Sequence, residues 1–431
     1  MRRSGYRATG TVLALLCLMY MITYIDRVNI STAAIDFRKE LNLSAGDYGD
    51  IFAAFGITYA LFQIVGGFIG DRYGPRLTLG ICGFIWAAAT MLTGLAGGYW
   101  SLVVARLALG LGEGATFPTA TRAMSNWLPA SWRGFGQGIT HTFARGGNAL
   151  APTLVVYLIA FWSWRGSFVV VGLASLVWVV AWVLYFRDDP QQHPSISASE
   201  TALLPNYRGG RGADSEAVPW AQLVPRMMPT TIVYFCYGWT LWLYLSWIPQ
   251  YLQHTQNLDI KKAAFFSSAV FVAGMVGDTL GGVASDWVFR VTGNLAKARR
   301  NVVFASLVGS LVFLVPVFVT DDIVAIAACL AAAFFCLELT IGPIWSVPMD
   351  IAPQHSGTAS GIMNTGSAVA AIASPWVFGH VIDWTGNWNL PFAGSIVLLL
   401  VGAALTFWMR PEQPITGPAP KEAAPSAAKL A

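Results

Sequence analysis

Charge is what this chain has least of. Asp, Glu, Lys and Arg make up 11% of its 431 residues, apolar residues make up 55%, and mean hydropathy is +0.56. Soluble domains carry about 25% charged residues, so a water-soluble globular protein is excluded. Cysteine is nearly as scarce. The five present, Cys17, Cys82, Cys236, Cys329 and Cys336, lie in apolar runs without metal-ligand spacing, so they read as packing residues rather than as disulfides or thiolate ligands. There is also no Walker-type phosphate loop, no coherent metal cluster and no polar stretch large enough to hydrolyse ATP. Enzyme and primary-pump readings therefore lack parts: no catalytic residue, metal or cofactor is expected, and a proton is the default coupling ion.

Long apolar runs are what the chain has instead. Breaks at charged or Pro/Gly-rich points give twelve candidate membrane spans, near 12–33, 49–70, 77–97, 100–121, 135–160, 166–186, 229–252, 263–287, 301–319, 323–348, 357–381 and 391–409. An all-α integral membrane protein follows. With both termini in the cytoplasm, 18 of the 26 basic residues fall on the inner side, five outside and three (Arg27, Arg106, Arg145) within the membrane, as the positive-inside rule requires. The net charge of +4 is then mostly topology, and no basic patch calls for nucleic acid. The first apolar segment is too long for a signal peptide, contains Asp26-Arg27 and lacks a small-residue cleavage site, so it is expected to stay as a span.

Residues 1–187 and 229–410 each hold six spans. Between them, residues 188–228 are polar and rich in Pro, Ser, Gln and Gly, as in a cytoplasmic linker. The tail, 411–431, has little with which to build a core and is expected to be disordered. The halves are an internal repeat. Glu113-x4-Pro118 in span 4 matches Glu338-x4-Pro343 in span 10, while Gly134-x3-Gly138 with Pro152 matches Gly357-x3-Gly361 with Pro375. The loop Gly67-x-x-x-Asp71-Arg72-x-Gly74-x-Arg76 after span 2 has a degraded copy, Gly282-x-x-x-Asp286, after span 8. Parallel six-helix repeats place a substrate at their interface near the midplane, exposed alternately to each side as the halves rock.

On these motifs, residues 12–409 resemble the major facilitator superfamily, whose signature is the Gly67–Arg76 loop. The resemblance implies the major facilitator fold of twelve helices and alternating access. In that frame Asp71 and its basic neighbours, Arg72 and Arg76, with turn residues Gly67 and Gly74, form a gating latch whose contacts break as the halves tilt. The second copy has Trp287 where a basic residue is usual, so a one-sided latch is expected. A narrower resemblance, carried by Tyr24-Ile25-Asp26-Arg27-Val28-Asn29, Arg106-x-x-x-Gly110-x-x-Glu113-x4-Pro118 and Gly342-Pro343-Ile344-Trp345, is to the anion:cation symporters, in particular bacterial sugar-acid:proton symporters.

Charges at bilayer depth cost at least ~2.5–3.5 kcal/mol each, so those that remain face a polar path and handle substrate or protons. Arg27 is the expected partner of a substrate carboxylate, since its fork stays charged and matches two oxygens; the competing reading is a structural ion pair. Asp26 and Glu113 are the expected proton carriers. Burial and a movable arginine push a carboxyl group in opposite directions, so an acid whose partner comes and goes can load and release a proton. Arg106, seven residues before Glu113 and on the same helix face, is the candidate movable partner of Asp26; a static salt-bridge network is the alternative. The resemblance implies the same roles for Arg27, Asp26 and Glu113.

His141 and Arg145, four apart in span 5, share a face. His141 is read as a hydroxyl ligand or a titrating group, or else as a histidine tied to a neighbouring helix. Arg145 is read as a second anion clamp, or else as the neutraliser of Glu113 or Asp26. The galactonate type has a neutral amide near this part of span 5, which leaves a diacid or bulkier acid open. Tyr24, Tyr59, Trp345 and Asn364, with Gln63 and Trp242 as weaker candidates, would complete the site by packing a substrate face and meeting its oxygens. Glu338, the copy of Glu113, has no arginine in its own span and is left as a structural or coupling acid. The expected function is proton-coupled import of a small organic anion, a sugar acid such as a hexonate, hexarate or hexuronate, by a monomer in a bacterial inner membrane. Anion exchange, including organophosphate for phosphate, is the rival within transport. A membrane sensor or scaffold is the rival outside it, and the linker and tail are too small for a signalling appendage.

Overall fold

The computed structural model describes residues 7–204, 217–256, 260–320 and 322–415, and among these every regular element is helical. Spans 1 to 3 are single helices, Arg7–Glu40, Ala45–Tyr73 and Pro75–Gly94. Span 4 is two helices, Tyr99–Gly114 and Thr116–Trp127. Spans 5 and 6 form one continuous element, Arg133–Tyr185, reversed at Ser163, whose φ of 65° lies in the left-handed region. Spans 7 and 8 are Trp220–Gln256 and Ile260–Thr292. Span 9 runs through Val302–Leu314, span 10 is Ile323–Glu338 followed by Ile341–Ile351, and spans 11 and 12 are Ser356–Thr385 and Leu390–Leu405.

Length and apolarity alone single out nine of these as membrane-crossing. The difference from twelve has physical causes. Spans 5 and 6 are read as one because no polar loop separates them. Span 4 falls short because Arg106 and Glu113 lower its apolarity, and span 7 because its Tyr, Trp and Thr residues dilute its own. Span 7 starts at Trp220 rather than near 229, so the end of the expected linker is helix. The disorder expected of the tail falls almost wholly outside the described residues. Of its first residues, Ile415 N–H bonds the Ile351 carbonyl at the end of span 10, 2.8 Å away.

Spans 4 and 10 break at the same place, just after Glu113 and Glu338. Pro118 and Pro343, five residues beyond each acid, cannot donate to the carbonyl four residues back and their rings crowd it, which weakens the helix at the break. Broken helices at membrane depth mark binding sites in transporters.

Both described ends of the chain and the linker lie at one face of the bundle, here the terminal face: Thr9 N–H bonds Glu200, and Ile415 bonds Ile351. The two halves touch from this face to mid-membrane. Gly67 lies against the backbone of Gly357, Gly361 against that of Gln63, Gly282 against that of Gly134 and Gly138 against that of Asp278, each approach too close for a Cβ. Further out, Gly49 and Gly56 of span 2 face open space. At the far face Arg165 bonds Glu40 (2.9 Å) and the carbonyls of Gly94 and Ala96, all within the N-terminal half. Among the described residues, the close glycine contacts between the halves thus run from the terminal face to mid-membrane.

Candidate functional site: a two-part ionic centre at the midplane

Span 1 presents Asp26 and Arg27 in different directions, as adjacent helical residues must. Asp26 turns to span 3, where the Thr90 hydroxyl donates to its Oδ2. Arg27 turns to span 4, where its Nε donates to Glu113 Oε2 at 2.7 Å. Four rings surround the Arg27 guanidinium, with centroids 5.0 Å (Tyr24), 5.5 Å (Phe55), 4.6 Å (Tyr59) and 5.3 Å (Phe117) away. Aromatic faces attract a cation without neutralising it. Arg27 keeps 18% of its side chain exposed while Glu113 keeps none, so the arginine is the more accessible member of the pair.

Arg106 shares the buried face of its helix with Glu113, as its spacing requires. It does not pair with Asp26. Its Nε and Nη1 have no hydrogen-bond partner, and the guanidinium sits 4.9 Å from the Phe55 ring. Asp26 Oδ1, Glu113 Oε1 and Arg27 Nη2 are also buried without partners. Buried polar atoms are normally satisfied, so several orphans among four ionisable side chains make this cluster the candidate site.

Arg145 is not a free clamp, nor does it neutralise Glu113 or Asp26. It reaches across the interface, where its Nη2 donates to both carboxylate oxygens of Glu338 at 3.1 Å and to the Tyr237 hydroxyl oxygen at 3.3 Å. Its Nε lies 3.7 Å from Asp278 Oδ2, and Tyr237 donates to Glu338 Oε2 at 2.8 Å. Glu338 therefore does have an arginine, supplied by the other half. Asp278 and Tyr237 were not among the residues singled out from sequence. The repeat could have found Asp278, because the offset that carries Gly67 and Asp71 onto Gly282 and Asp286 carries Gln63 onto it.

His141 Nδ1 lies 2.8 Å from the Gln137 carbonyl of its own helix, which only accepts, so Nδ1 is the donor. Its ring packs against Tyr20 and Trp345, with centroids 5.1 and 5.2 Å away. Trp345 is buried and donates to the Tyr234 hydroxyl at 2.8 Å. Asn364 donates to Gln63 Oε1 across the interface at 2.8 Å. Tyr24 and Tyr59 line the Arg27 pocket, whereas no polar or ring contact ties Trp242 to these groups among the described residues.

The terminal face is closed by a matched pair of caps. Asp71 accepts from the backbone N–H groups of Gly357 (2.9 Å) and Thr358 (2.6 Å) at the start of span 11. Asp286 accepts from Gly134 (3.1 Å) and Phe135 (2.7 Å) at the start of span 5. Each carboxylate thus meets orphan donors and the positive end of a helix belonging to the other half. The expected one-sided latch is corrected here: the second copy works through backbone donors, and Trp287, 59% exposed, points away. The basic partners also differ from expectation. Arg122 of span 4 lies 3.7 Å from Asp71 and bonds the Pro353 carbonyl. Arg299 binds Asp286 (2.8 Å) and Asp350 (3.0 Å), and Asp350 also takes Arg133 (2.8 Å). Arg76 instead braces its own half, through the Val183 carbonyl and, by its N–H, Asp188. Arg72 lies 5.9 Å from the Tyr73 ring. Gly74, at φ 85°, sits against the Asp188 carboxylate, where a side chain would be strained and crowded.

A sequence model of the Major Facilitator Superfamily matches residues 16–375 and, in a second match, 298–431. The chain belongs to the major facilitator superfamily. It is accordingly a multi-pass membrane transporter and not an enzyme. It is 47% identical to a protein of Cupriavidus necator described as a probable sulfoacetate transporter, over 94% of this chain and 95% of that one. It is 29% identical to the hexuronate transporter of Bacillus subtilis (92% and 94% covered) and 27% identical to a probable L-galactonate transporter of Escherichia coli (96% and 91%). Among solved structures, the Escherichia coli fucose:proton symporter FucP superposes with a TM-score of 0.70 at 14% identity, covering 94% of this chain and all of that one. That likeness speaks for the fold alone.

Proposed function

We propose that this superfamily member carries a small organic anion together with protons, with the anion seated on Arg27. The observation that carries this reading is the Arg27–Glu113 pair: Glu113 occupies Nε, one terminal nitrogen is buried without a partner, and the arginine is the partly exposed member of the pair. Asp26, Arg27, Arg106 and Glu113 sum to zero formal charge when all are ionised. An anion arriving at Arg27 makes the group net negative in a low-dielectric setting, and a proton on Glu113, whose hold on Arg27 then loosens, restores the balance. Asp26, beside the unpaired Arg106, is the second acid able to take a proton. Substrate and proton thus enter as a set.

The anion is a compact one, a short carboxylate or sulfonate of the sulfoacetate type, in preference to a sugar acid. A polyol needs a polar partner for each hydroxyl, but the walls around Arg27 are aromatic, and the hydrogen bond between the Gln63 and Asn364 amides leaves Gln63 Nε2 as their one unpartnered buried group. The relatives point the same way, at 47% identity for the sulfoacetate type against 29% and 27% for the hexuronate and galactonate types. In this reading the positive-inside rule puts the terminal face in the cytoplasm, so the face closed by the two caps is the inner one, and a bacterial inner membrane and a monomer complete it.

Proteoliposomes test it. Labelled sulfoacetate should accumulate against its gradient when protons are driven inward, sulfoacetate should compete better than glucuronate or galactonate, and a protonophore should stop accumulation. Glu113→Gln should lose accumulation while keeping exchange of labelled for unlabelled substrate, which needs no return of the empty carrier. Uptake indifferent to the proton gradient would overturn symport in favour of exchange, and stronger competition by the sugar acids would restore them as the substrate class.

A further inference from the structure

The C-terminal half holds two buried acids that the anion site does not use. Asp278 of span 8 and Glu338 of span 10 are both fully buried, and they face one another. Among the described residues no basic side chain of their own half pairs with them; Arg145, from span 5 of the other half, is the one cation that does. The two partners are treated very unequally. Glu338 receives both contacts of Arg145 Nη2 and the Tyr237 hydroxyl. Asp278 receives no hydrogen bond at all: both its carboxyl oxygens are buried and unpartnered, with Arg145 Nε no nearer than 3.7 Å.

A fully ionised set would carry one uncompensated negative charge in mid-membrane, placed on the carboxylate with the fewest donors. Two carboxylates sharing a site avoid this by keeping one proton between them, and a protonated Asp278 supplies the donor that the pair otherwise lacks. The other groups around the set are Tyr24, Tyr234 and His141, from spans 1, 7 and 5, and none of them is a cation paired with either acid. We propose that Asp278 and Glu338 form a second proton-binding site, loaded in the conformation closed at the terminal face, and that its proton is carried through the cycle in addition to the proton charge taken up beside Arg27.

The position of the pair gives it a way to release that proton. The Asp278 backbone is the surface on which Gly138 of the other half rests, and Arg145 lies two turns further along the same helix. Motion that opens the terminal face parts Gly138 from Asp278 and admits water beside the pair on that side; hydration lifts the burial that keeps the acid neutral, so the proton leaves while Arg145 still balances Glu338. A proton taken from water at the far face leaves to water at the terminal face, and no co-reactant is needed.

The inference rests on the proton-coupled reading above, and one experiment separates the two. In proteoliposomes with fixed sulfoacetate and proton gradients, the membrane potential at which net flux vanishes gives the proton-to-substrate ratio. Asp278→Asn, which mimics the protonated acid, should lower that ratio by one whole proton while leaving labelled exchange and Glu113-dependent coupling in place. Glu338→Gln should do the same. Each variant leaves Arg145 one carboxylate, so both are expected to fold. A proton-dependent wild type with an unchanged ratio in the two variants would overturn the second site and spare the first. A wild type without proton dependence would overturn both. Loss of folded protein in both variants would show the acids to be a permanent structural brace, and would overturn the second site as well.

Discussion

The two halves of this transporter descend from one repeat, yet their midplane charges are arranged on opposite principles. The N-terminal half carries two acids and two arginines of its own, Asp26, Glu113, Arg27 and Arg106, and its one close ion pair lies inside that half. The C-terminal half carries two acids, Asp278 and Glu338, and borrows its cation from the other half through Arg145. A self-contained cluster can travel as a rigid unit while the halves rock. A cluster completed across the interface cannot: its pairing is part of the conformational equilibrium. The broken helices make the same point. Glu113 and Glu338 sit at equivalent breaks, one paired within its half and the other across the divide.

The largest expected effect tests this asymmetry directly. Arg145→Met strands the buried Glu338 carboxylate beside Asp278, and breaking a buried pair costs about 3–5 kcal/mol. Arg106→Met leaves Arg27 in the N-terminal cluster and removes a guanidinium with two unpartnered nitrogens, so its loss in stability should be clearly smaller. Denaturation of the purified proteins in one detergent compares them. Equal losses would mean that the halves are balanced alike.

Next in size is the effect at the anion. Arg27→Lys keeps the charge but loses the fork, and losing one charge-assisted hydrogen bond costs ~1.5–3 kcal/mol, or more than tenfold in affinity. Calorimetric titration with sulfoacetate reads this. Binding within about threefold of wild type would remove Arg27 from the anion site and leave its Glu113 pair as a structural brace, like the rest of that half.

The smallest effect concerns the terminal face, where the halves are alike. Asp71→Asn and Asp286→Asn each weaken a carboxylate cap on the partner half's helix, an interaction worth about 0.5–2 kcal/mol. Both should shift the equilibrium toward the form open at that face by similar amounts, followed by cysteine accessibility near Gly357 and Gly134, with the order of substrate preference unchanged. A response from Asp71 alone would restore a one-sided latch, and an altered preference would place these acids in the binding site.

Much of this was legible in the order of residues. Composition, the Glu-x4-Pro and Gly-x3-Gly repeats and the buried ionisable residues determined a twelve-span, two-half transporter with Arg27 and Glu113 at its centre, because membrane solvation punishes every polar atom that is not paired or used. Spacing along one helix was also enough to put Arg106 and Glu113 on a common face. What only the tertiary structure decided is which charge meets which. Arg145 faces Glu338 and Asp278 rather than Glu113, Asp71 meets the backbone of Gly357 and Thr358 rather than basic neighbours, and Arg76 turns back on its own half. Helical periodicity fixes the direction of a side chain around its own axis, but it says nothing of which helix stands opposite or at what height. Those pairings depend on the close glycine contacts between halves, which join residues 140 to 298 positions apart in the chain.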